Sequence, residues 1–394
     1  MAPNNALGKA TAAKMRERVE GRSPGRGAAG ARGRSPGRKD RAETSSDEVR
    51  VSDADGFGAA PGGQSSVLNR DEVTSRGTGS AVRTPVDEFV ARPRDELRCF
   101  WTGIMFLTRL PCPGWCDHHP GYLMRAMGYF PLLGALIGVW AAAFYEAAEC
   151  MWSPLIAAAL SSASTLWLTG CFHEDGLCDT LDGFGGGWTK SQIMRIMRDS
   201  RNGSYATMGA GLWILAKSAA IARLGDTVGP RGSTWVLGGS VGAGPAIIVA
   251  QAVARASSAY LIYFHEYIVD DEDAKGEYYN WFGDSRRLLG IYRVLFSILS
   301  SALVAVVVLP LQGAVRVLLT TAICTVISGK YGVSVLGGVM GDFLGATICI
   351  IELAIYLALG ADLNQADGSK LLHLVMVVSL PQIYGVWRRW YERQ

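Results

Sequence analysis

Long stretches of the 394-residue sequence contain few charged side chains, and this scarcity argues against a water-soluble protein. The segment 291–310, for example, carries Arg293 as its single charge. A soluble all-helical protein would need stripes of charge at helical spacing along its exposed faces. The same stretches also lack the two-residue alternation of membrane β-barrel strands, so apolar helices are the expected structure.

Residues 1–95 have the opposite shortage, because they contain few aromatic or other large apolar residues. Such a segment buries too little surface to offset the entropy lost on ordering, so we predict a disordered, low-complexity extension. Residues 1–39 contain ten Arg or Lys, but Glu17 and Glu20 depart from a transit-peptide pattern, so targeting and a passive tail both stay open. No aromatic residues lie between these arginines, which argues against nucleic-acid binding.

The eight cysteines show no paired CxxC spacing. Cys112, Cys116, His118 and His119 lie in one Pro-rich loop, but no second ligand cluster accompanies them. We therefore expect the cysteines to behave as small apolar residues rather than as zinc ligands.

Residues 96–394 are predicted to form an all-α, polytopic integral membrane helix bundle with about six to eight spans. A helix needs roughly 20 apolar residues to cross the hydrocarbon core of a bilayer. Several low-charge runs approach or exceed this length; the runs are 127–149, 152–172, 205–223, 234–263, 288–310, 313–328, 331–359 and 371–387.

Charge in the loops predicts which side of the membrane they face. Residues 188–206 carry four cations, Lys190, Arg195, Arg198 and Arg201, against the single acid Asp199. Loops rich in Lys and Arg stay in the cytosol, or in the matrix or stroma of an organelle. The loop 264–284 has seven acids but receives less weight, because acidic residues contribute little to topology.

A stripe of carboxylates interrupts the apolar sequence in CFHEDGLCDTLDGFGGG, residues 171–187. Asp175, Asp179 and Asp182 fall within about 60° of one another on a helix, with Glu174 on the flank. Like charges this close repel, and converging carboxylate oxygens suit Mg²⁺ or Mn²⁺. We therefore predict a metal site at Asp175, Asp179 and Asp182, with Glu174 as a further candidate ligand. The alternative is a helix face that points into water.

Glycines and arginines follow the stripe. Gly185 and Gly186 stand where backbone could approach a phosphate closely. In MRDSRNGSY, Arg198 and Arg201 flank Asp199 and Ser200. Because guanidinium groups match phosphate oxygens bidentately, we predict that Arg198, Ser200 and Arg201 contact phosphate. The alternative role for the arginines is anchoring at the cytoplasmic surface.

Further charges lie inside later apolar runs. Asp342 and Glu352 occur in GGVMGDFLGATICIIE, and Arg255 and Lys330 lie within or beside hydrophobic segments. Charges at membrane depth normally face the interior of a bundle and pair there. We therefore expect one polar cavity that contains the carboxylates and a cation from Arg198, Arg201, Arg255 or Lys330. His173 is either a general base or an ordinary helix-end histidine.

Four blocks together resemble the cobalamin synthase family, the adenosylcobinamide-GDP ribazoletransferases. FHEDGLCDTLDGF is similar to the family's His-x-Asp-Gly-Leu-x-Asp-x-x-Asp-Gly signature, and IMRDSRNGSY to its Met-Lys/Arg-Asp-Ser-x-x-Gly-x-Tyr block. GGVMGDFLGA resembles a later Gly-x-x-Gly-Asp-x-Leu-Gly-Ala segment, and FLTRLPCP an opening Leu-Thr-Arg-Leu-Pro. Two features depart from the family: the extension 1–95 has no counterpart, and Glu174 stands where the family usually has an uncharged residue.

The resemblance implies the last assembly reaction of cobalamin in a membrane. The 3′-hydroxyl of α-ribazole, or of its 5′-phosphate, would attack the phosphorus next to cobinamide in adenosylcobinamide-GDP and release GMP. Asp175, Asp179 and Asp182 would hold Mg²⁺ or Mn²⁺. The arginines would neutralise the diphosphate, and His173, Asp199 or Asp342 would orient or deprotonate the hydroxyl.

Two rival functions are weighed against this one. A membrane phosphotransferase of the CDP-alcohol type also uses carboxylates at helical spacing, but DGLCDT lacks the arginine of its DGxxAR core. A divalent-cation transporter would line a pore with acids, but Arg198 and Arg201 beside them would repel the permeating ion.

Overall fold

The computed structural model describes residues 95–116, 119–228, 241–268 and 283–361. Residues 1–94 of the predicted extension 1–95, the apolar run 371–387 and most of the acidic loop lie outside these ranges.

The described ranges contain twelve α-helices and one 3₁₀ turn, Met127–Tyr129. In chain order the helices are α1 Glu96–Leu107, α2 Pro120–Ala126, α3 Phe130–Glu149, α4 Pro154–Thr169, α5 Phe172–Gly186, α6 Lys190–Met197, α7 Ser204–Val228, α8 Ala243–Ala254, α9 Ala256–Phe264, α10 Ser285–Val308, α11 Leu311–Leu336 and α12 Gly341–Gly360. The predicted all-α class is confirmed.

Five helical stretches in the described ranges are long and apolar enough to cross a membrane. They are α2 with α3, α8 with α9, α10, α11 and α12, and the bent pair α4–α5 makes a sixth if it counts as one span. The number agrees with the lower end of the predicted six to eight. The predicted run 205–223 forms most of α7. This helix is long enough to cross a membrane, but it is less apolar than the five stretches above.

Contacts between helix ends define two faces of the bundle. On the distal face, Gly225 near the end of α7 lies against Tyr145 near the end of α3, and Gly244 at the start of α8 lies against Glu146. The proximal face is where α12 begins. There a short backbone bridge joins the residues after α9 to those before α12, because Ile268 N–H donates to Val339 C=O over 2.8 Å.

A sharp bend of 95° separates α4 from α5 and turns the acidic stripe into the bundle. Gly170 and Cys171 both adopt left-handed backbone conformations, with φ of 69° and 60°. Gly170 accepts this geometry without strain, whereas Cys171 is the one non-glycine residue with positive φ among the described residues. Two consecutive left-handed residues end one helix and re-aim the next.

Helix α5 packs closely against the start of α12. A Cβ placed on Gly176 would come within 2.6 Å of the backbone oxygen of Asp342, and one on Gly345 within 3.1 Å of the backbone oxygen of His173. Glycine at both positions lets the two backbones approach, as small residues commonly do in membrane helix pairs. This contact positions the acidic stripe beside Asp342.

Candidate active site

The four acidic side chains of α5 do not form one cluster, because they contact three different surroundings. Asp175 and Asp179 are half-buried and face the start of α12. Asp182 contacts the start of α7, and Glu174 faces the interior of the bundle.

Asp175, Asp179 and Asp342 form the first group, here called the carboxylate site. Asp179 lies within electrostatic range of both Asp342 and Asp175, and Asp342 lies within electrostatic range of Asp175, so the three carboxylates repel one another. Among the described residues, no salt bridge or hydrogen bond joins any of these three side chains to a cation. The site therefore concentrates negative charge that the surrounding helices leave uncompensated.

Two features hold Asp342 in this position. It lies in the first turn of α12, where unpaired amide N–H groups and the helix dipole favour a negative charge. The hydroxyl of Tyr267 lies beside the backbone of Gly341, the residue that immediately precedes Asp342. Burial and the charge of Asp342 raise the pKa of Tyr267, so this side chain stays a neutral hydrogen-bonding group next to the carboxylate.

The donor chemistry of the carboxylate site fits a divalent cation. Half-buried carboxylate oxygens are the ligands that Mg²⁺ and Mn²⁺ prefer, and a cation would relieve the repulsion within the site. No three His, Cys, Asp or Glu side chains in the described ranges already stand in a coordinating arrangement. Asp175, Asp179 and Asp342 would therefore have to turn toward a bound ion.

Asp182 holds the start of α7. Its two carboxylate oxygens accept hydrogen bonds from the backbone N–H groups of Gly203, at 2.5 Å, and Ala206, at 2.9 Å. These donors belong to the first turn of α7, where amide groups otherwise lack partners. Both oxygens of Asp182 are thus engaged by backbone N–H groups in the structure, and its predicted role as a metal ligand beside Asp175 and Asp179 stays a prediction.

An open cavity of about 650 Å³ lies between α6 and α7, next to Asp182. Arg195, Asp199, Arg201 and Tyr205 contribute to its lining, as does Gly186. Arg201 donates to both oxygens of Asp199, at 2.9 and 2.6 Å. These bonds lower the pKa of Asp199 to about 2, so this carboxylate is a weak base.

The residues predicted to bind phosphate differ in their exposure and in whether they line the cavity. Gly186 lines the cavity, but Gly185 is covered, because a Cβ there would come within 2.5 Å of the Tyr205 ring. Arg198 ends α6 and is half-buried, as is Ser200. Arg201 is the most accessible of these groups, with 86% of its side chain exposed. Their role in binding phosphate stays a prediction.

Arg255 lies in a different place, inside a buried polar network. Its Nη1 donates to the backbone oxygen of Gln251 at 2.7 Å and to Gln251 Oε1 at 2.6 Å. Gln251 Nε2 in turn donates to Glu352 Oε1 at 2.5 Å. Glu352 also forms a 2.7 Å salt bridge with Lys217 and accepts from the hydroxyl of Tyr356 at 3.1 Å.

The expected single polar cavity is therefore divided into separate parts. Arg255 is 2% exposed and belongs to the network, whereas Lys330 is exposed on α11. His173 is buried within the electrostatic range of Arg255 and Lys217. The division has a physical reason: neighbouring residues on a helix point about 100° apart, so one helix can present charges to several surroundings.

Sequence reasoning missed several residues that the structure brings to these groups. Tyr267 follows an apolar run and Lys217 lies within one, so neither stood out as part of a motif, whereas Tyr205 ends the block IMRDSRNGSY but was given no role. A lysine inside an apolar run is itself a signal, because charges at membrane depth usually have a partner. That signal was available for Lys217.

Comparison with known proteins identifies the family. A family model described as cobalamin-5-phosphate synthase matches residues 99–360. This chain belongs to that family. Its three sequence blocks at 172–184, 196–205 and 337–346 lie inside the matched region, and so does the opening block at 106–113.

Curated relatives agree with the family assignment. The chain is 31% identical over 264 residues to the adenosylcobinamide-GDP ribazoletransferase of Shewanella amazonensis. The aligned region covers 67% of this chain and 95% of the relative. It is 34% identical over 269 residues to the Shewanella oneidensis protein of the same description, covering 67% of this chain and 94% of the relative. No solved structure matches. Together with the apolar helices, the family indicates a multi-pass membrane protein.

Proposed function

We propose that this chain catalyses the final step of cobalamin nucleotide-loop assembly, in which adenosylcobinamide-GDP and α-ribazole, or its 5′-phosphate, are joined and GMP is released. The relatives named above carry this activity in their description. The observation that carries the proposal for this chain is the uncompensated carboxylate site beside an arginine-lined cavity. A diphosphate and a divalent cation would supply the charges that the site lacks.

The proposed chemistry is a phosphoryl transfer that depends mainly on positioning and charge neutralisation. The ribazole hydroxyl oxygen forms a bond to the phosphorus next to cobinamide, and the bond from that phosphorus to the bridging oxygen breaks. GMP leaves with that oxygen, and the hydroxyl proton passes to a carboxylate. Asp175 and Asp179 would hold Mg²⁺, or Mn²⁺, which when bound neutralises diphosphate oxygens, and Asp342 beside them would either complete the ligand set or accept the proton.

Of the three candidates for accepting the proton, Asp342 is the best supported. Asp199 has both oxygens engaged by Arg201. His173 is 4% exposed and lies within electrostatic range of two buried cations, Arg255 and Lys217. Asp342 is half-buried at a helix N-terminus beside Asp179 and Tyr267, so it can meet a substrate hydroxyl.

The cavity would hold the departing nucleotide. Arg195 and Arg201 can neutralise phosphate oxygens, and the exposed ring of Tyr205, which covers Gly185, offers a surface on which a base can stack. Because Asp182 lines this cavity and acts on Asp179, the nucleotide would leave next to the carboxylate site.

We infer that the proximal face points to the cytosol, or to the matrix or stroma in an organelle. In the described ranges this face carries Lys190, Arg195 and Arg201 around α6 and Arg286 and Arg287 at the start of α10. Loops rich in Lys and Arg stay on that side of the membrane. With the exposed native Cys150 replaced by Ser, a membrane-impermeant thiol reagent applied to intact cells should label Ser191→Cys on α6 only after permeabilisation, relative to the Cys150→Ser parent. Labelling without permeabilisation would reverse this orientation.

The experiment that tests the function follows GMP release by membranes that contain the protein. Adenosylcobinamide-GDP and α-ribazole are supplied with Mg²⁺, with Mn²⁺ or with a chelator, and the corrinoid product is identified by mass. GMP release that needs both substrates and a divalent ion is expected. Absence of GMP under all conditions would refute the proposal. Metal flux into liposomes, or activity with a CDP-alcohol, would favour one of the rival functions.

A further inference from the structure

Glu174 lies beside three charged groups that have no part in the proposed chemistry. Lys217, Arg255 and Glu352 come from α7, the α8–α9 junction and α12, and each is at most 3% exposed. Together with Glu174 they form what we call the buried network. Taking charges out of water in this way is costly unless they are paired and hydrogen-bonded.

The charges of the network balance only if Glu174 is counted. Lys217 and Arg255 contribute two positive charges, and Glu352 contributes one negative charge. Glu174, whose Oε2 atom is buried, lies within electrostatic range of Lys217, Arg255 and Glu352, and when ionised it supplies the second negative charge. Without it, one buried positive charge would have no counterpart in the network.

Two atoms of the network still lack hydrogen-bond partners among the described residues. They are Oε2 of Glu174 and Nε of Arg255, and both are fully buried. Each is the complement of the other, since the guanidinium nitrogen donates and the carboxylate oxygen accepts. The two side chains lie within electrostatic range of each other and neither of these atoms is hydrogen-bonded, so the attraction between α5 and the α8–α9 junction is electrostatic and not a direct hydrogen bond.

The position of Glu174 on α5 connects this network to the carboxylate site. On a helix, Glu174 points about 100° away from Asp175 and about 140° away from Asp179. At the other end of α5, Asp182 is attached to the start of α7. Asp175 and Asp179 thus lie between two attachment points that together set the rotation of α5 about its axis.

We propose that Glu174 is a positioning residue, which through the buried network with Lys217, Arg255 and Glu352 keeps Asp175 and Asp179 facing Asp342. The activity readout rests on the proposed function, whereas the stability readout below does not. The competing explanation is that Glu174 only balances charge and affects stability without affecting the geometry of the site.

The test is a double-mutant cycle with Glu174→Gln and Lys217→Met in the full-length protein. Glu174→Gln leaves an excess positive charge, and Lys217→Met leaves an excess negative one. The double variant retains the neutral pair of Arg255 and Glu352, with Gln251 and Tyr356 still donating to Glu352. Glu146→Gln, near the distal end of α3, is the matched control for losing a carboxylate outside the network.

Two quantities are measured: kcat and KM for GMP release, and the midpoint of thermal unfolding in detergent. Glu174→Gln should lower kcat roughly 10- to 100-fold, because a small misplacement of catalytic groups is enough, while KM changes less than twofold. The double variant should recover part of kcat and part of the thermal midpoint. Glu146→Gln should match the wild type in kcat.

Three outcomes would overturn the proposal. They are a wild-type kcat in Glu174→Gln, a lower thermal midpoint in that variant without a change in kcat, or additive losses of thermal midpoint in the double variant.

If Glu174→Gln does not accumulate in membranes, the comparison of Lys217→Met with the double variant is the test, and the double variant must be the more active of the two. If the wild type releases no GMP, the proposed function fails, but the thermal coupling between Glu174 and Lys217 still tests the network.

Discussion

The two sides of helix α5 contain similar numbers of charges but use them in opposite ways. On the inner side, the buried network has two cations and two anions. Bonds of 2.5–3.1 Å join Lys217, Gln251 and Tyr356 to Glu352 and Arg255 to Gln251, and Glu174 lies within electrostatic range of Lys217, Arg255 and Glu352. On the side facing α12, Asp175, Asp179 and Asp342 have no cationic partner among the described residues. The first arrangement contains charges of both signs, whereas the second contains negative charge alone.

This difference separates structural charges from functional ones. A buried charge that is balanced inside the protein stabilises one arrangement of helices, and removing its partner is costly. A half-buried charge that the protein leaves unbalanced attracts an ion or a substrate. The following predictions test this distinction, starting with the largest expected effect.

Asp179→Asn should reduce GMP release by about 100-fold or more, because it removes a charge from the carboxylate site. The thermal midpoint should stay the same or rise, since the change relieves repulsion with Asp175 and Asp342. Rates and thermal unfolding are measured on the same preparation. Asp226→Asn, an exposed acid near the distal end of α7, is the control and should be neutral in both. Near-normal activity of Asp179→Asn would place the site elsewhere.

Arg255→Met should show the reverse pattern, with stability as the primary loss. Removing one partner of a buried charged network typically costs about 3–5 kcal/mol of unfolding free energy, so little protein should accumulate in membranes. Lys330→Met removes an exposed cation of α11 and should leave both yield and activity unchanged. Expression level and thermal midpoint are compared between the two variants. If Arg255→Met is instead stable but binds substrate poorly, Arg255 contacts the phosphate groups of the substrate, as its position in an apolar run first suggested.

Asp182→Asn distinguishes a cap from a metal ligand. The amide oxygen can still accept from the first turn of α7, so activity should fall far less than in Asp179→Asn. Asp182→Ala removes both acceptors and should cost about 1 kcal/mol of unfolding free energy. The measurement is GMP release and thermal unfolding of both variants. Equal loss of activity in Asp182→Asn and Asp179→Asn would identify Asp182 as a ligand.

The smallest effect is expected from the exposed pair of Asp199 and Arg201. The folded pKa of Asp199 is lowered from 3.8 to about 2, so the pair contributes its stability above the unfolded pKa and loses it as pH falls through the folded one. The thermal midpoints of the wild type and Asp199→Asn should therefore differ slightly near neutral pH and converge between pH 3.8 and about 2. A difference that persists below this range would mean that Asp199 acts by another means.

Much of the molecule was predictable from the order of its residues. The long apolar runs predicted membrane helices, since a backbone in lipid must satisfy its own hydrogen bonds. The four motif blocks, spread over 106–346, predicted the family that the comparisons identify. The spacing of Asp175 and Asp179 placed them on one helix face, and the structure keeps them together opposite Asp342.

The partners of each charge could not be read in the same way. Spacing alone placed Asp182 with the metal ligands, because periodicity gives a direction on a helix but not the group that lies there. In the structure the first turn of α7 lies opposite Asp182, and the network from α7, α8, α9 and α12 lies opposite Glu174. Arg255 and Lys330 both follow apolar sequence, yet Arg255 is buried and Lys330 is exposed.

The amino-acid sequence thus specifies the helices, their membrane environment and the family, because these depend on local composition, hydrogen bonding within each helix and motif order. The assignment of the four acids of α5 to a cap, a network and an open site arises only from the packing of α5 against α7 and α12 and from the buried charges that lie beside it. That packing depends on the bend at Gly170 and Cys171 and on the close approach at Gly176, through contacts between residues far apart in the chain.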